Sequence, residues 1–340
     1  MNGEIIERTS RAIVSEIRNS PHKGRPAKTI FFGGGTPTFI PIKQLLSIFD
    51  EVVKTHPPHK SCEITSEANP GTVDREKFSE MRKAGFNRIS IGGQSFDKND
   101  LIRLERIHES DDISRAVGGA NDAGFENINL DLMFGLPHQS MNAWESNLKE
   151  AIELKTTHLS LYNLTIEPNT KFYKLHLRGQ LQLPPESLQA KMYEKTLDTM
   201  QENGFHHYEI SNFAKPGYEC RHNLCYWYGE EYAGYGPGAV EQVNNIRSTN
   251  IKHPIHYCEA VENHLDLNCE KETLTEKEKR IEEIMLGLRL DEGISISSAK
   301  PNEQKLEQLT RDGFIQRDNG RIKLTRKGKL FCNTVVLELI

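Results

Sequence analysis

The chain has 340 residues, a formal net charge of −5, 36% hydrophobic residues and a mean hydropathy of −0.60. That suits two domains, or one large barrel with an appendage. No apolar run approaches a membrane span, and the acidic balance argues against a nucleic-acid backbone as the main partner.

Residues 4–18 predict an amphipathic helix with Ile5, Ile6, Ala12, Ile13 and Ile17 as its apolar set. A helix ahead of any strand is an unusual opening for an α/β chain. Ile30–Phe32 predicts a buried strand that stops at Gly33-Gly34-Gly35-Thr36-Pro37-Thr38. The glycines let the backbone turn sharply and let a ligand approach the main chain, and Pro37 stiffens the turn. Pro41 opens a helix carrying Leu45, Leu46, Phe49, Val52 and Val53. Further strands are expected over 62–68, 88–92, 127–133 and 158–164, each followed by a helical pattern. The stretch after Phe96 reads as an acidic turn leading to Arg103, Arg106 and His108, and Ser110 and Ser140 read as helix caps. Five strand–helix units in a row imply a parallel sheet. In such barrels the chemistry sits at the C-terminal ends of the strands, where this chain places Gly34 to Thr36, Glu67, Gln94, Asp131 and Asn163. Asp131 stands out because it lies between Leu130 and Leu132 in an apolar strand, where a charge needs a partner. Arg106 is the candidate.

A long helix is expected over 186–203, after Leu183-Pro184-Pro185. Cys220, His222 and Cys225 invite a metal reading, but no second pair lies at zinc-site distance. His222 with Tyr226 and Trp227 is the better cluster, an imidazole beside aromatic surface that suits a large flat ligand such as a porphyrin. From Thr275 two helices and a hairpin follow, with Asn319-Gly320 as a type I′ turn signal. This predicts a winged-helix-like end. The expected division is a barrel over 1–183, a connecting region over 184–274 and the winged-helix-like domain over 275–340. The cysteines Cys62, Cys220, Cys225, Cys258, Cys269 and Cys332 form no disulfide-like framework. Met1–Arg8 has neither a secretory h-region nor a transit pattern. Together these predict a reducing, cytoplasmic setting.

The segments Phe32 to Thr38, Glu67-Ala68-Asn69-Pro70, Arg88 to Gly92 with Gln94-Ser95-Phe96, Asn129 to Met133 with Gly135-Leu136-Pro137, and Tyr208 to Phe213 carry a family resemblance. They resemble the coproporphyrinogen III oxidase-like branch of the radical S-adenosylmethionine (SAM) proteins. His222-Asn223-Leu224-Cys225-Tyr226-Trp227 is similar to the His-Asn-x-x-Tyr-Trp signature of the heme chaperone branch, HemW. The resemblance implies an α/β fold, a partial (β/α) barrel of the radical SAM type with its first strand missing here, and a C-terminal α+β domain. It implies SAM contacts at Gly34, Gly35, Thr36, Glu67, Gln94, Arg106, Asp131, Thr165 and Val240, and heme contacts at His222, Tyr226 and Trp227.

The family holds a [4Fe-4S] cluster on a Cys-x-x-x-Cys-x-x-Cys loop that this chain lacks, its first cysteine being Cys62. The chain starts with the helix that should follow that loop, which implies a shortened or cluster-free member. Gly93 stands where a bulkier apolar residue is usual, and Val240 where the chaperone has histidine. The leading expectation is a heme chaperone that binds heme and SAM and delivers heme to acceptor hemoproteins, as a monomer or homodimer. The rivals are an oxygen-independent coproporphyrinogen III oxidase and an inactive fragment. No catalytic residue is assigned.

Overall fold

The computed structural model describes residues 3–299 and 302–340. Helix α1 (Gly3–Arg18) precedes strand β1 (Ala27–Phe32) and α2 (Ile42–Thr55), followed by β2 (Pro58–Ala68), α3 (Arg75–Ala84) and β3 (Arg88–Gln94). Then come α4 (Lys98–Arg103), α5 (Ser110–Asp122), β4 (Asn127–Phe134), α6 (Met141–Glu153), β5 (His158–Asn163), α7 (Lys171–Leu177) and α8 (Glu186–Glu202). A tight pair, β6 (His206–Glu209) and β7 (Asn212–Ala214), is followed by α9 (Arg221–Trp227), β8 (Val240–Val243), β9 (Ile246–Asn250), α10 (Pro254–Glu262) and β10 (Asn268–Thr273). The chain ends with α11 (Glu276–Gly287), β11 (Ile294–Ser295), α12 (Ile296–Ala299), α13 (Glu303–Arg311), β12 (Ile315–Asp318), β13 (Arg321–Leu324), α14 (Arg326–Leu330) and α15 (Cys332–Leu339).

Seven strands form one sheet in the order β1-β2-β3-β4-β5-β7-β6. Pairs β2–β3, β3–β4 and β4–β5 are parallel, as alternating strands and helices predict, while β7 and β6 add antiparallel pairs at the far edge. Two local readings need correction. The stretch after Phe96 is a helix, α4, because the Asp97 side chain accepts from the amides of Asn99 and Asp100. The cap of α5 is Glu109, not Ser110, because Glu109 and Asp112 form a reciprocal capping box. Ser140 caps α6 as expected, accepting from the Ala143 amide at 3.2 Å.

By its contacts the chain forms two compact units. One comprises Thr65–Glu219 with Arg326–Phe331. Here the parallel register sorts the strand residues by face. Ile89, Ile91, Ile128, Leu130, Leu132, Leu159 and Leu161 share the apolar face and are buried beneath α5, α6 and α8. Arg88, Ser90, Asn129, Asp131, His158 and Ser160 share the other face. Each apolar side chain removed from water contributes about 1.5–3 kcal/mol, so that face is the unit's main source of stability. Residues 326–331 are tied in by Arg326, which pairs with Asp198 at 2.6 Å and donates to the Glu194 carbonyl.

The other unit comprises Met1–Ile64, Cys220–Thr325 and Cys332–Ile340. Within it α1 packs on α2 and α10, with Ala12, Tyr257 and Cys258 forming a buried cluster. Glu16 of α1 accepts from the Gly236 amide (2.8 Å), the Asn250 amide group (2.6 Å) and the Tyr257 hydroxyl (2.6 Å). Burial pushes its carboxyl up, against those three bonds. Strands β8, β9 and β10 form an antiparallel sheet. Strands β11, β13 and β12 make the small wing, whose turn places Asn319 at φ 49° and Gly320 at φ 75°, both in the left-handed region a type I′ turn requires.

Candidate functional site

In the unit that holds β1 and α9, alternation along β1 sets the site. Ile30 points into the core, while Thr29 and Phe31 share the opposite side. Both meet His222. The Thr29 hydroxyl lies 2.9 Å from His222 Nδ1, and the Phe31 ring stacks on the imidazole at 4.7 Å and 5°. The Tyr226 hydroxyl, one helical turn on, lies 3.1 Å from His222 Nε2, with the two rings edge to face at 4.9 Å. Tyr226 is 37% exposed and its edge also meets Tyr232. Burial pushes its phenol up to about 12, so it keeps its proton at neutral pH. Trp227 lies under the Arg289 guanidinium, 5.6 Å from the ring centroid, and its buried indole N–H meets no acceptor among the described residues.

Helix α9 has only seven residues, and Glu63 holds its start. From strand β2 this buried carboxylate accepts from the backbone amides of Arg221 and His222, both at 3.0 Å, and from the Cys220 thiol at 3.5 Å. A carboxylate on the first amides of a helix satisfies donors that have no partner inside it and suits the dipole. Sequence analysis missed Glu63 because it lies 157 residues from Cys220. Alternation within 62–68 marks it only as one polar position among several.

The glycine stretch of the same unit is exposed, with Gly34 at φ 78° and Gly35 at φ 80°. A Cβ at either position meets no atom within 4 Å, so backbone conformation rather than crowding calls for glycine. Thr36 begins a short 3-10 turn without using its side chain as a cap. Val240 is on β8, 37% exposed.

In the unit that holds β3 to β5, donors converge on Asp131. Asn129 donates to it at 2.6 Å, Tyr162 at 3.0 Å and Ser90 at 3.4 Å. Behind Asn129 stands His158, whose Nδ1 lies 2.6 Å from the Asn129 side-chain oxygen Oδ1 and whose Nε2 lies 2.8 Å from the Tyr208 hydroxyl. Burial, with the charge of Arg88, holds His158 well below the usual imidazole range. The neutral ring therefore donates to Asn129 and accepts from Tyr208. Burial pushes the Asp131 carboxyl up, and its hydrogen bonds to Asn129, Ser160 and Tyr162 act against that. Arg106, the partner proposed from sequence, is exposed and meets Asp131 through charge. The hydrogen bonds come instead from Asn129 on its own strand and from Ser90 and Tyr162 on the neighbouring ones. Glu67 lies in register with Ser90, next to this group. Gln94 ends β3 at φ 67°, where the register with β4 shifts. Thr165 is exposed beyond β5. At Gly93 a Cβ would sit 2.8 Å from Leu130 Cδ1, so glycine fits the packing of this chain.

These residues suit SAM in kind. The carboxylates of Glu67 and Asp131, which share one unit, suit its ammonium and ribose hydroxyls. They do not suit a [4Fe-4S] cluster. Among the described residues no three His, Cys, Asp or Glu side chains are grouped to hold a metal ion, and Cys220 and Cys225 belong to the α9 packing.

Residues 1–151 match the Radical SAM superfamily and residues 274–331 the HemN C-terminal domain. In fold the chain is similar to coproporphyrinogen III oxidase (HemN) from Escherichia coli, with a TM-score of 0.85 at 21% identity, over 99% of this chain and 83% of that one. This is the α/β fold of the radical SAM type with an appended C-terminal domain. Among relatives, the heme chaperone HemW of Bacillus subtilis (strain 168) is 37% identical over 97% of this chain and 90% of its own length. That of Escherichia coli (strain K12) is 37% identical over 93% and 85%. The chain belongs to the heme chaperone HemW family.

Proposed function

We propose that this chain is a heme chaperone, which takes up heme at the surface of α9 and passes it to an acceptor hemoprotein. The observation that carries the reading is His222, a half-exposed imidazole that meets Thr29, Phe31 and Tyr226. Imidazole is an axial ligand of heme iron, and aromatic surface suits a macrocycle. The names of the relatives support the same reading. No helix of the described residues is long and apolar enough to cross a membrane, which fits a chaperone working in the cytoplasm, as a monomer or homodimer.

SAM is the second proposed ligand. Its proposed contacts lie in the unit of β3 to β5, at Glu67, Gln94, Arg106, Asp131 and Thr165. The oxidase reading rests on the likeness of fold.

The test is a hemin titration followed by the Soret band on wild type and His222→Ala, with circular dichroism to check the fold. The chaperone reading expects a weakened or shifted Soret complex in the variant. Identical titrations would remove His222 from the heme site.

A further inference from the structure

Both nitrogens of the His222 ring are engaged, and the two engagements differ in kind. Thr29, which meets Nδ1, sits half-buried on a strand. The Thr29 oxygen can accept from Nδ1–H. That tautomer makes Nε2 a lone-pair acceptor, and the Tyr226 phenol is the donor facing it at 3.1 Å. Tyr226 is the more exposed of the two partners, held by edge contacts with His222 and Tyr232 rather than by a packed core. An axial ligand must offer iron the same Nε2 lone pair that the phenol now occupies.

We propose that Tyr226 is a displaceable cap on His222, with Thr29 fixing the ring from behind, so that heme is taken up only as Tyr226 swings off Nε2. The proposal rests on the heme reading above. On uptake the O–H···Nε2 hydrogen bond breaks and a coordinate bond forms from the Nε2 lone pair to iron. The phenol keeps its proton and Nδ1–H stays on Thr29, so no proton or electron is lost. The high phenol pKa agrees with a cap that leaves as a neutral group. Such a cap keeps the apo site from gathering stray metal ions. It also lowers the final affinity, which suits a protein that must give its cargo away.

The experiment compares hemin uptake, by stopped-flow and equilibrium Soret measurements, in wild type, Tyr226→Phe and His222→Ala. It adds 15N NMR of the His222 imidazole in the apo wild type. The phenylalanine variant keeps the ring and removes the hydroxyl. Losing one hydrogen bond that competes with iron should raise heme affinity about three- to tenfold, with the Soret position unchanged. The apo NMR should show Nδ1 protonated and Nε2 bare. Equal affinity in wild type and Tyr226→Phe, with His222→Ala impaired, overturns the cap and leaves the heme reading standing. Weaker uptake by Tyr226→Phe overturns it too, making Tyr226 a support for the ligand. A proton on Nε2 in the apo protein overturns it without any ligand present. If His222→Ala titrates like wild type, His222 leaves the heme site and the cap falls with it.

Discussion

His158 and His222 each hold both ring nitrogens in hydrogen bonds, yet their surroundings differ. His158 is fully buried, and its partners Asn129 and Tyr208 belong to a chain of donors ending on Asp131. His222 sits at a surface, with one partner on a strand and the other on a short exposed helix. In the interior a hydrogen bond cannot be exchanged for one to water, so the His158 set is fixed in one arrangement. At the surface the loss of Tyr226 can be offset by water or a ligand. Identical local chemistry thus yields a rigid frame in one unit and an exchangeable site in the other.

The largest effect that separates them is on stability. His158→Ala leaves a cavity and strands the Tyr208 hydroxyl and the Asn129 side-chain oxygen. It is expected to cost about 3–4 kcal/mol in urea unfolding, whereas His222→Ala should stay within about 1 kcal/mol. Similar losses for the two variants would erase the distinction.

A smaller effect tests how α9 is held. Glu63→Gln removes the charge and one acceptor from the first turn of α9, and is expected to lower stability by about 1.5 kcal/mol. Faster amide exchange at Arg221 and His222 should accompany the loss. Unaltered exchange there would show that α9 keeps its place without the carboxylate.

The third effect is in pH. His158 is held well below its ordinary value, so below pH about 6.5 the unfolded chain binds a proton that the folded chain refuses. The stability this histidine contributes is present above pH 6.5 and is lost on acidification, by up to about 1.4 kcal/mol per pH unit. His108, lowered by burial, acts in the same sense, while the raised Asp131 acts in the opposite one. Unfolding free energies from pH 7 to 5 should therefore fall less steeply in His158→Gln than in wild type. Parallel curves would mean that His158 takes up its proton in the folded state.

Much of the fold was legible because periodicity is a local property. The apolar spacing of 4–18 and 42–53, the strands ending at Phe32 and Ala68, the Ser140 cap and the Asn319-Gly320 turn all follow from residues within a few positions of one another. Where two local signals competed, the local reading failed. Ser110 is the residue type that caps, but the reciprocal bond between Glu109 and Asp112 decided for Glu109. Asp97 could open a turn or a helix, and its two amide bonds made it α4.

The family motifs marked the candidate residues, His222 and Asp131 among them, from sequence by itself. Their partners were decided by tertiary structure. Thr29 and Phe31 reach His222 across 193 and 191 positions because the strand alternation that buries Ile30 turns them to the other side. Glu63 reaches α9 from a different strand, and Asp131 takes its donors from β3 and β5 as well as its own strand. Sequence spacing specifies which face of an element a side chain occupies. Which element lies opposite that face is settled only when the sheet and helices pack, since a hydrogen bond depends on proximity in space and carries no trace of separation along the chain.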